Sequence, residues 1–198
     1  TAVYMTGRIS GATHAQALIA AIASQSLDDS SRTDAPNLKI EGLVNNPYRI
    51  PSTQPSLIQE GNNRHSLGLT MRESQLVADE GIKRKDILLF GLGMHTVGDF
   101  FPHANLSGNW TAGHQVGKNE DGSDSHFLLH DADYTNKNPQ KARYTIQVFL
   151  EKWDAFLQNK TKTELSKDQI ASVERFIQSE KTSDGKTSAF RDAMKSIG

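Results

Sequence analysis

The run Ile82-Lys-Arg-Lys-Asp86-Ile-Leu-Leu-Phe90-Gly-Leu-Gly-Met-His95-Thr-Val-Gly-Asp99-Phe-Phe101 decides the fold. Its second half is apolar nearly all round, with Ile87, Leu88, Leu89, Phe90, Leu92, Met94, Val97 and Phe100 leaving no continuous polar face. A helix of that kind has to be covered on every side, so residues 82–101 are expected to form a buried central helix with the other elements packed round it. Gly91, Gly93 and Gly98 would each weaken an exposed helix by about 1 kcal/mol relative to Ala. In a buried one they mark close approach of neighbouring backbones. Lys83-Arg84-Lys85 is the one dense basic run and reads as a solvated face at the start of this helix.

Within the run, His95 and Asp99 are four residues apart and therefore only about 40° apart around a helix axis; His103 lies about another 40° on if the helix continues. A carboxylate buried without a partner costs several kcal/mol or takes up a proton. A metal ion removes that cost by giving Asp99 and His95 a shared cationic partner. The ordinary alternative is a satisfied His–Asp hydrogen bond that only holds the core together. Pro102 removes a backbone donor and should kink or end the helix just before His103.

Outward from the central run, Thr13 is a suitable N-cap for a helix over about 14–27, with Ala17, Leu18, Ala21 and Ile22 as its apolar stripe. Its alanine content should let another helix pack close. Asp28 and Asp29 fall in its last turn, the unfavourable end of the helix dipole for negative charge. Thr70-Met-Arg-Glu73 has capping-box spacing and opens a helix to about Asp79, with Gly81 as the break. Asn138-Pro139 opens a helix to about Asn159 with Ala142, Ile146, Phe149, Leu150, Trp153, Phe156 and Leu157 on one stripe. Ser166 and Gln169 cap another, with Ile170, Val173, Phe176 and Ile177 inward, and a short helix over 188–196 closes the chain. No alternating pattern of useful length appears. The expected fold is all-α: a single helical domain over 1–198, with a core over 13–158 and C-terminal helices over 165–197. Residues 30–63 and 104–137 lack periodicity and read as long ordered loops that form the site.

Composition narrows the function. With 36% apolar and 23% charged residues the chain lies outside the composition of disordered segments. A net charge of −1 supplies no global field toward nucleic acid or anionic membrane. There is no cysteine, so disulfides, thiolate metal sites and a cysteine nucleophile are excluded and any metal must use His and carboxylate. No apolar stretch approaches the roughly 18 residues that cross a bilayer, and no signal-peptide pattern is present, so a soluble chain is expected. Its start at Thr1, without methionine, reads as a piece of something longer.

Further metal-ligand candidates lie in the loops, where backbone freedom lets them converge on a rigid helix: His65, His114 beside Gly113, and the cluster His126, His130, Asp131 and Asp133. No Gly-x-Ser-x-Gly turn is present, and Gly91-x-Gly93 follows no strand, so a serine triad and a phosphate-cradling loop are disfavoured. The 124–133 segment lacks the ligand spacing and central glycine of a calcium loop.

The pattern His95-x3-Asp99-x3-His103-Ala-Asn on an apolar helix resembles the zinc-dependent phospholipase C-like proteins, including the fungal heterokaryon-incompatibility type C group. Ala23-Ser-Gln-Ser-Leu-Asp28-Asp29 ahead of that helix, with Gly113-His114 and the Asn138-Pro139 helix after it, is similar to bacterial domains of this superfamily found at the C-termini of Rhs-type polymorphic toxins. The similarity runs over about 13–158. It implies Asp28 or Asp29, His65, His95, Asp99, His103 and His114 as metal ligands. The superfamily's N-terminal ligand has no counterpart in residues 1–11, which argues for one or two ions. Zn²⁺ is favoured, with Mn²⁺ or Fe²⁺ as alternatives.

The implied activity is attack of a metal-acidified water on a phosphodiester. Asp99 would bridge ions or orient the water, and His130 and Asp131 would supply a proton to the leaving group. Phe100, Phe101, Leu106, Trp110 and 127–129 could form an apolar mouth for acyl chains, or could be ordinary core. A phospholipid or other phosphodiester is the expected substrate, and the toxin context adds secretion or delivery and a cognate immunity protein. The competing readings are a single-strand nuclease on the same centre, which the near-neutral charge disfavours, and a non-catalytic domain with a structural metal.

Overall fold

The computed structural model describes residues 2–29, 70–103, 117–118, 124–125, 135–179 and 195. They form α1 (Ala2–Ile9), α2 (His14–Asp29), α3 (Met71–Arg84), α4 (Ile87–His103), α5 (Pro139–Leu157) and α6 (Lys167–Gln178). A two-residue antiparallel ladder pairs β1 (Gly117–Lys118) with β2 (Asp124–Ser125), Gly117 opposite Ser125. The fold is all-α, and this ladder is the described exception to the irregular stretch expected over 104–137.

α4 is the central helix, and its glycines set what touches it. Gly91 and Gly93 are two residues apart, about 200° round the axis, so they admit two helices from opposite flanks. A Cβ at Gly91 would lie 2.5 Å from the Ala20 carbonyl oxygen and 2.8 Å from Ala23 Cβ of α2. One at Gly93 would overlap the backbone of Ala78 in α3. Gly98 faces the ring of Phe149 in α5, with Cζ 3.1 Å from where its Cβ would be.

This contact corrects the expected face of α2. Thr13 does cap the helix, accepting from the Gln16 amide at 3.2 Å while the Gln16 side chain accepts from Thr13 N–H at 2.9 Å. The buried stripe, however, is Ala17, Ala20, Ala23 and Leu27, and the larger Leu18 and Ile22 are 41% and 60% exposed. Backbone approach at Gly91 leaves room only for small side chains, so the alanine face turns inward.

The boundary between α3 and α4 also differs from expectation. The Thr70–Glu73 capping box forms, but Gly81 does not break the helix: it lies inside α3, where an added Cβ would meet the backbone of Phe90. The break is at Lys85, which takes φ 58°, with Lys85 N–H bonded to Ile82 O and Asp86 N–H to Gly81 O. Asp86 then caps α4, its carboxylate accepting from the amides of Leu88 and Leu89 at 3.0 and 3.1 Å. A non-glycine residue in this conformation needs support from elsewhere. The Lys85 ammonium supplies it by donating to the Phe156 carbonyl at 3.1 Å. The basic run therefore ends a helix rather than starting one, at the favourable end of its dipole, with Glu80 paired to Arg84 at 2.6 Å.

An N-terminal helix was not expected. α1 is only eight residues long and owes its formation to packing rather than propensity. Gly7 lies against the ring of Trp153, whose Nε1–H donates to the Val3 carbonyl at 3.0 Å. Trp153 in turn meets Phe90 edge-on at 4.8 Å between ring centroids, and Phe90 stacks on Phe156 at 4.7 Å.

α5 follows its expected stripe, with Ile146, Phe149, Leu150, Trp153 and Phe156 buried and Ala142 and Leu157 half-buried. Pro139 sits in its first turn, although the Asn138 side chain makes no capping bond. Its end comes at Leu157, and buried Asp154 ties down the following turn by accepting from Thr163 N–H at 2.7 Å and Thr163 Oγ1 at 2.6 Å. In α6, capped by Ser166 and Gln169 as expected, Val173, Phe176 and Ile177 pack with Met5, Ile146 and Leu150, while Ile170 is exposed. Of the expected 188–196 helix only Lys195 is described, and it is helical. Residues 30–63 lie outside the described residues. Among the described residues no helix is long and apolar enough to cross a membrane.

Gly93→Ala is expected to destabilise the fold by about 3 kcal/mol or more, the upper end of overpacking costs, because the obstacle is backbone and cannot rotate away; urea denaturation measures it. A second expectation concerns acid. Arg143 donates to both oxygens of Glu174, at 2.8 and 2.7 Å, joining α5 to α6, and this hydrogen bonding holds the Glu174 carboxyl below its usual range. The depressed folded-state pKa means that the contribution is present above the ordinary glutamate range and lost as pH falls below it. Both groups are more than a third exposed, so the effect is at most about 1 kcal/mol after screening. Glu174→Gln should flatten that part of the stability–pH curve below pH ~4.5 and leave stability above it within the same margin.

Candidate functional site

The second half of α4 carries two of the expected site residues, His95 and Asp99. One helical turn brings His95 Nε2 within 3.2 Å of Asp99 Oδ2, with His95 6% and Asp99 26% exposed. In the neutral imidazole that contact is an Nε2–H donated to the carboxylate. Both side chains line a cavity of about 230 Å³. α4 also contributes Met94, Gly98 and Pro102 to it, α1 contributes Ala2 and Val3, and α2 contributes Ser24. The facing wall is the start of α5 and the turn before it: Thr135, Asn138, Lys141, Thr145 and Phe149.

The cavity is smaller than the roughly 300–1,000 Å³ typical of drug-sized ligands, so its described walls suit a small polar moiety rather than a whole acyl chain. The walls have distinct characters. Met94, Ile146, Phe149 and Phe176 make an apolar side. His95, Asp99 and Lys141 place three ionisable groups on the same space. Lys141 Nζ donates to the Pro102 carbonyl at 3.3 Å, three residues beyond Asp99.

The expected metal fits the pair as donors. Two ligands on one zinc at about 2.1 Å stand about 3.4 Å apart in a tetrahedral shell, against 3.2 Å between His95 Nε2 and Asp99 Oδ2. Binding there would compete with protonation of the donors, which would make it pH-dependent. Among the described residues no group of three or more His, Asp or Glu is placed to hold an ion. A complete ligand set would need donors beyond these two.

The other expected site residues divide into two sets. Asp28 and Asp29 are the last two residues of α2, four and five beyond Ser24, and His103 is the last residue of α4; their side chains lie outside the described residues. α4 runs through Pro102 and ends at His103, one residue further than the proline alone suggested. At that point the proline costs only a last-turn bond, and Lys141 supplies a donor to its carbonyl. His65, His114, His126, His130, Asp131 and Asp133 lie outside the described residues, as do Leu106, Trp110 and 127–129. Phe100 is buried core and Phe101 half-buried, stacked 6.5 Å from Tyr144. His14, the other histidine whose side chain is described, meets the Tyr4 hydroxyl at 2.7 Å through Nδ1.

Sequence reading missed Lys141 and Thr145. Both flank the apolar stripe of α5, one residue before Ala142 and Ile146 respectively. That position at the edge of a buried stripe, in the first turns of the helix, was the available signal. Comparison of the chain with protein-family models, with curated proteins and with solved structures finds no match.

His95→Ala should destabilise the chain in the presence of a chelator by roughly 1–3 kcal/mol, because it removes a buried partner of Asp99. Urea denaturation of the two proteins at neutral pH measures this. No change would mean that the contact contributes nothing to the fold.

Proposed function

We propose that the chain is a metal-dependent hydrolase that cleaves phosphodiesters in the manner of the phospholipase C-like proteins its motifs resemble. The observation that carries this reading is the His95–Asp99 contact on the wall of a small cavity that also receives a lysine. A purely structural His–Asp pair has no need of a cavity beside it. His95 and Asp99 would hold the ion, with further ligands drawn from Asp28 or Asp29, His65, His103 and His114. The bound metal, zinc by the chemistry of His and carboxylate donors, supplies an acidified water and charge stabilisation.

The chain's own residues do the rest. Asp99 would help to hold the ion or orient the attacking water. Met94, Phe149 and Phe176 keep bulk water from one side and so strengthen the polar contacts within. His130 and Asp131 are assigned the proton for the leaving group. The resemblance to Rhs-type toxin domains extends the reading to a secreted or delivered effector with a cognate immunity protein.

The test is metal analysis of the purified chain together with release of phosphorylated headgroup from phosphatidylcholine liposomes. Release should stop with chelator, return with Zn²⁺, and fall at least ~100-fold in His95→Ala, since even residues that only support a ligand are worth 10–100-fold. Cleavage of single-stranded DNA in place of lipid would assign the centre to a nuclease. Stoichiometric metal with no hydrolysis would leave it structural. Absence of any transition metal would remove the proposal.

A further inference from the structure

We infer that α2 pairs with α2 of a second copy of this chain, antiparallel about a two-fold axis, and that the chain is a weak dimer through this seam. The inference is independent of the hydrolase reading. α2 turns its small side chains inward, Ala17, Ala20 and Ala23, and its large ones outward, Leu18, Ile19 and Ile22. Space at Gly91 accounts for the alanines but not for the outward face. On that face Ala15, Ile19, Ile22 and Ser26 are all exposed and recur at steps of four, three and four residues, the spacing at which one helix meets another along a seam.

Between His14 and Asp28 the sequence carries no charged side chain. A helix face that stays in water ordinarily carries charge. This one offers nothing to a charged partner of either sign, and nothing that repels a copy of itself. The hydroxyl of Ser26, the one polar side chain in the seam, donates to the Ala23 carbonyl at 2.7 Å, so covering it leaves no donor unmet.

The ends of α2 set the direction. Its C-terminus is Asp28-Asp29, at the negative end of the helix dipole, with no basic residue in the last turn. An antiparallel pair lays that end beside the positive N-terminus of the other copy, whereas a parallel pair would put the two acidic ends together. The axis then crosses the seam between Ile19 and Ile22, so that Ile19 of one copy meets Ile22 of the other and Ala15 meets Ser26. One helix of 16 residues offers less than the roughly 800 Å² per partner of a standard stable interface. The expected Kd is therefore about 1–100 µM, the weak end of what interfaces reach.

Sedimentation equilibrium of the full chain across that range should show monomer passing to dimer. Ile22→Glu should weaken the dimer by roughly 100-fold or more, because the axis brings two carboxylates into one apolar seam. The Tm of the dilute chain should not change. The chain has no cysteine, so introduced ones report without background. Mixing Ala15→Cys with Ser26→Cys should yield the mixed disulfide. Either variant alone should not cross-link, since like residues stand about 16 Å apart along an antiparallel pair and a disulfide needs Cα atoms within about 7 Å.

A chain that stays monomeric throughout overturns the inference. So does a dimer that Ile22→Glu leaves intact, or one that cross-links two Ala15→Cys chains. A lower Tm for dilute Ile22→Glu would mean that the chain covers this face itself. Binding of the monomer to phosphatidylcholine vesicles, abolished by Ile22→Glu, would assign the face to a lipid surface. Either result removes the second copy.

Discussion

Everything described in this fold depends on how closely two backbones approach α4. Gly91 and Gly93 remove the side chains that would hold α2 and α3 away, and because they lie on opposite flanks α4 is clasped from both sides. The partners at these contacts are themselves small, Ala20 and Ala23 on one flank and Ala78 on the other. Such packing gains dispersion contacts along the backbone that larger side chains at wider separation would have to replace. It also leaves the third side of α4 to α5, where Phe149 fills the space over Gly98 and Phe90 meets Trp153 and Phe156.

The site follows from that clasp. A helix held on three sides has few rotations available, so the direction of His95 and Asp99 is determined by packing nearer its N-terminal half. Trp153 extends the same logic to α1: its indole nitrogen is satisfied by Val3, and the helix so anchored brings Ala2 and Val3 to the cavity wall. The ionisable groups described in the cavity, His95, Asp99 and Lys141, are thus carried on helices, which hold geometry better than loops do. Lys141 joins them because α5 begins beside the end of α4, where the Pro102 carbonyl accepts its ammonium.

The local features of the sequence were legible in proportion to how local their physics is. The capping residues Thr13, Thr70 and Ser166 act within three residues and could be read directly, as could the stripe of α5 and the pairing of His95 with Asp99 one turn away. α1 was not legible, since an eight-residue helix with a glycine and a threonine inward carries a weak pattern and relies on Trp153, far away in sequence. Nor was the stop at Lys85, where a glycine four residues earlier was the stronger local signal and a carbonyl on α5 supports the turn actually made.

By itself, then, the sequence determined an all-α chain, a central apolar helix and a histidine and an aspartate on the same side of it, because helical period and capping are properties of neighbouring residues. Only the tertiary structure decided which face of α2 turned inward, where α3 stopped, and that Lys141 would share a cavity with His95 and Asp99. Those outcomes depend on volumes and donors supplied by other helices. Ala17, Ala20 and Ala23 are less hydrophobic than Leu18 and Ile22, yet they face the core, because at a glycine contact the limiting quantity is space.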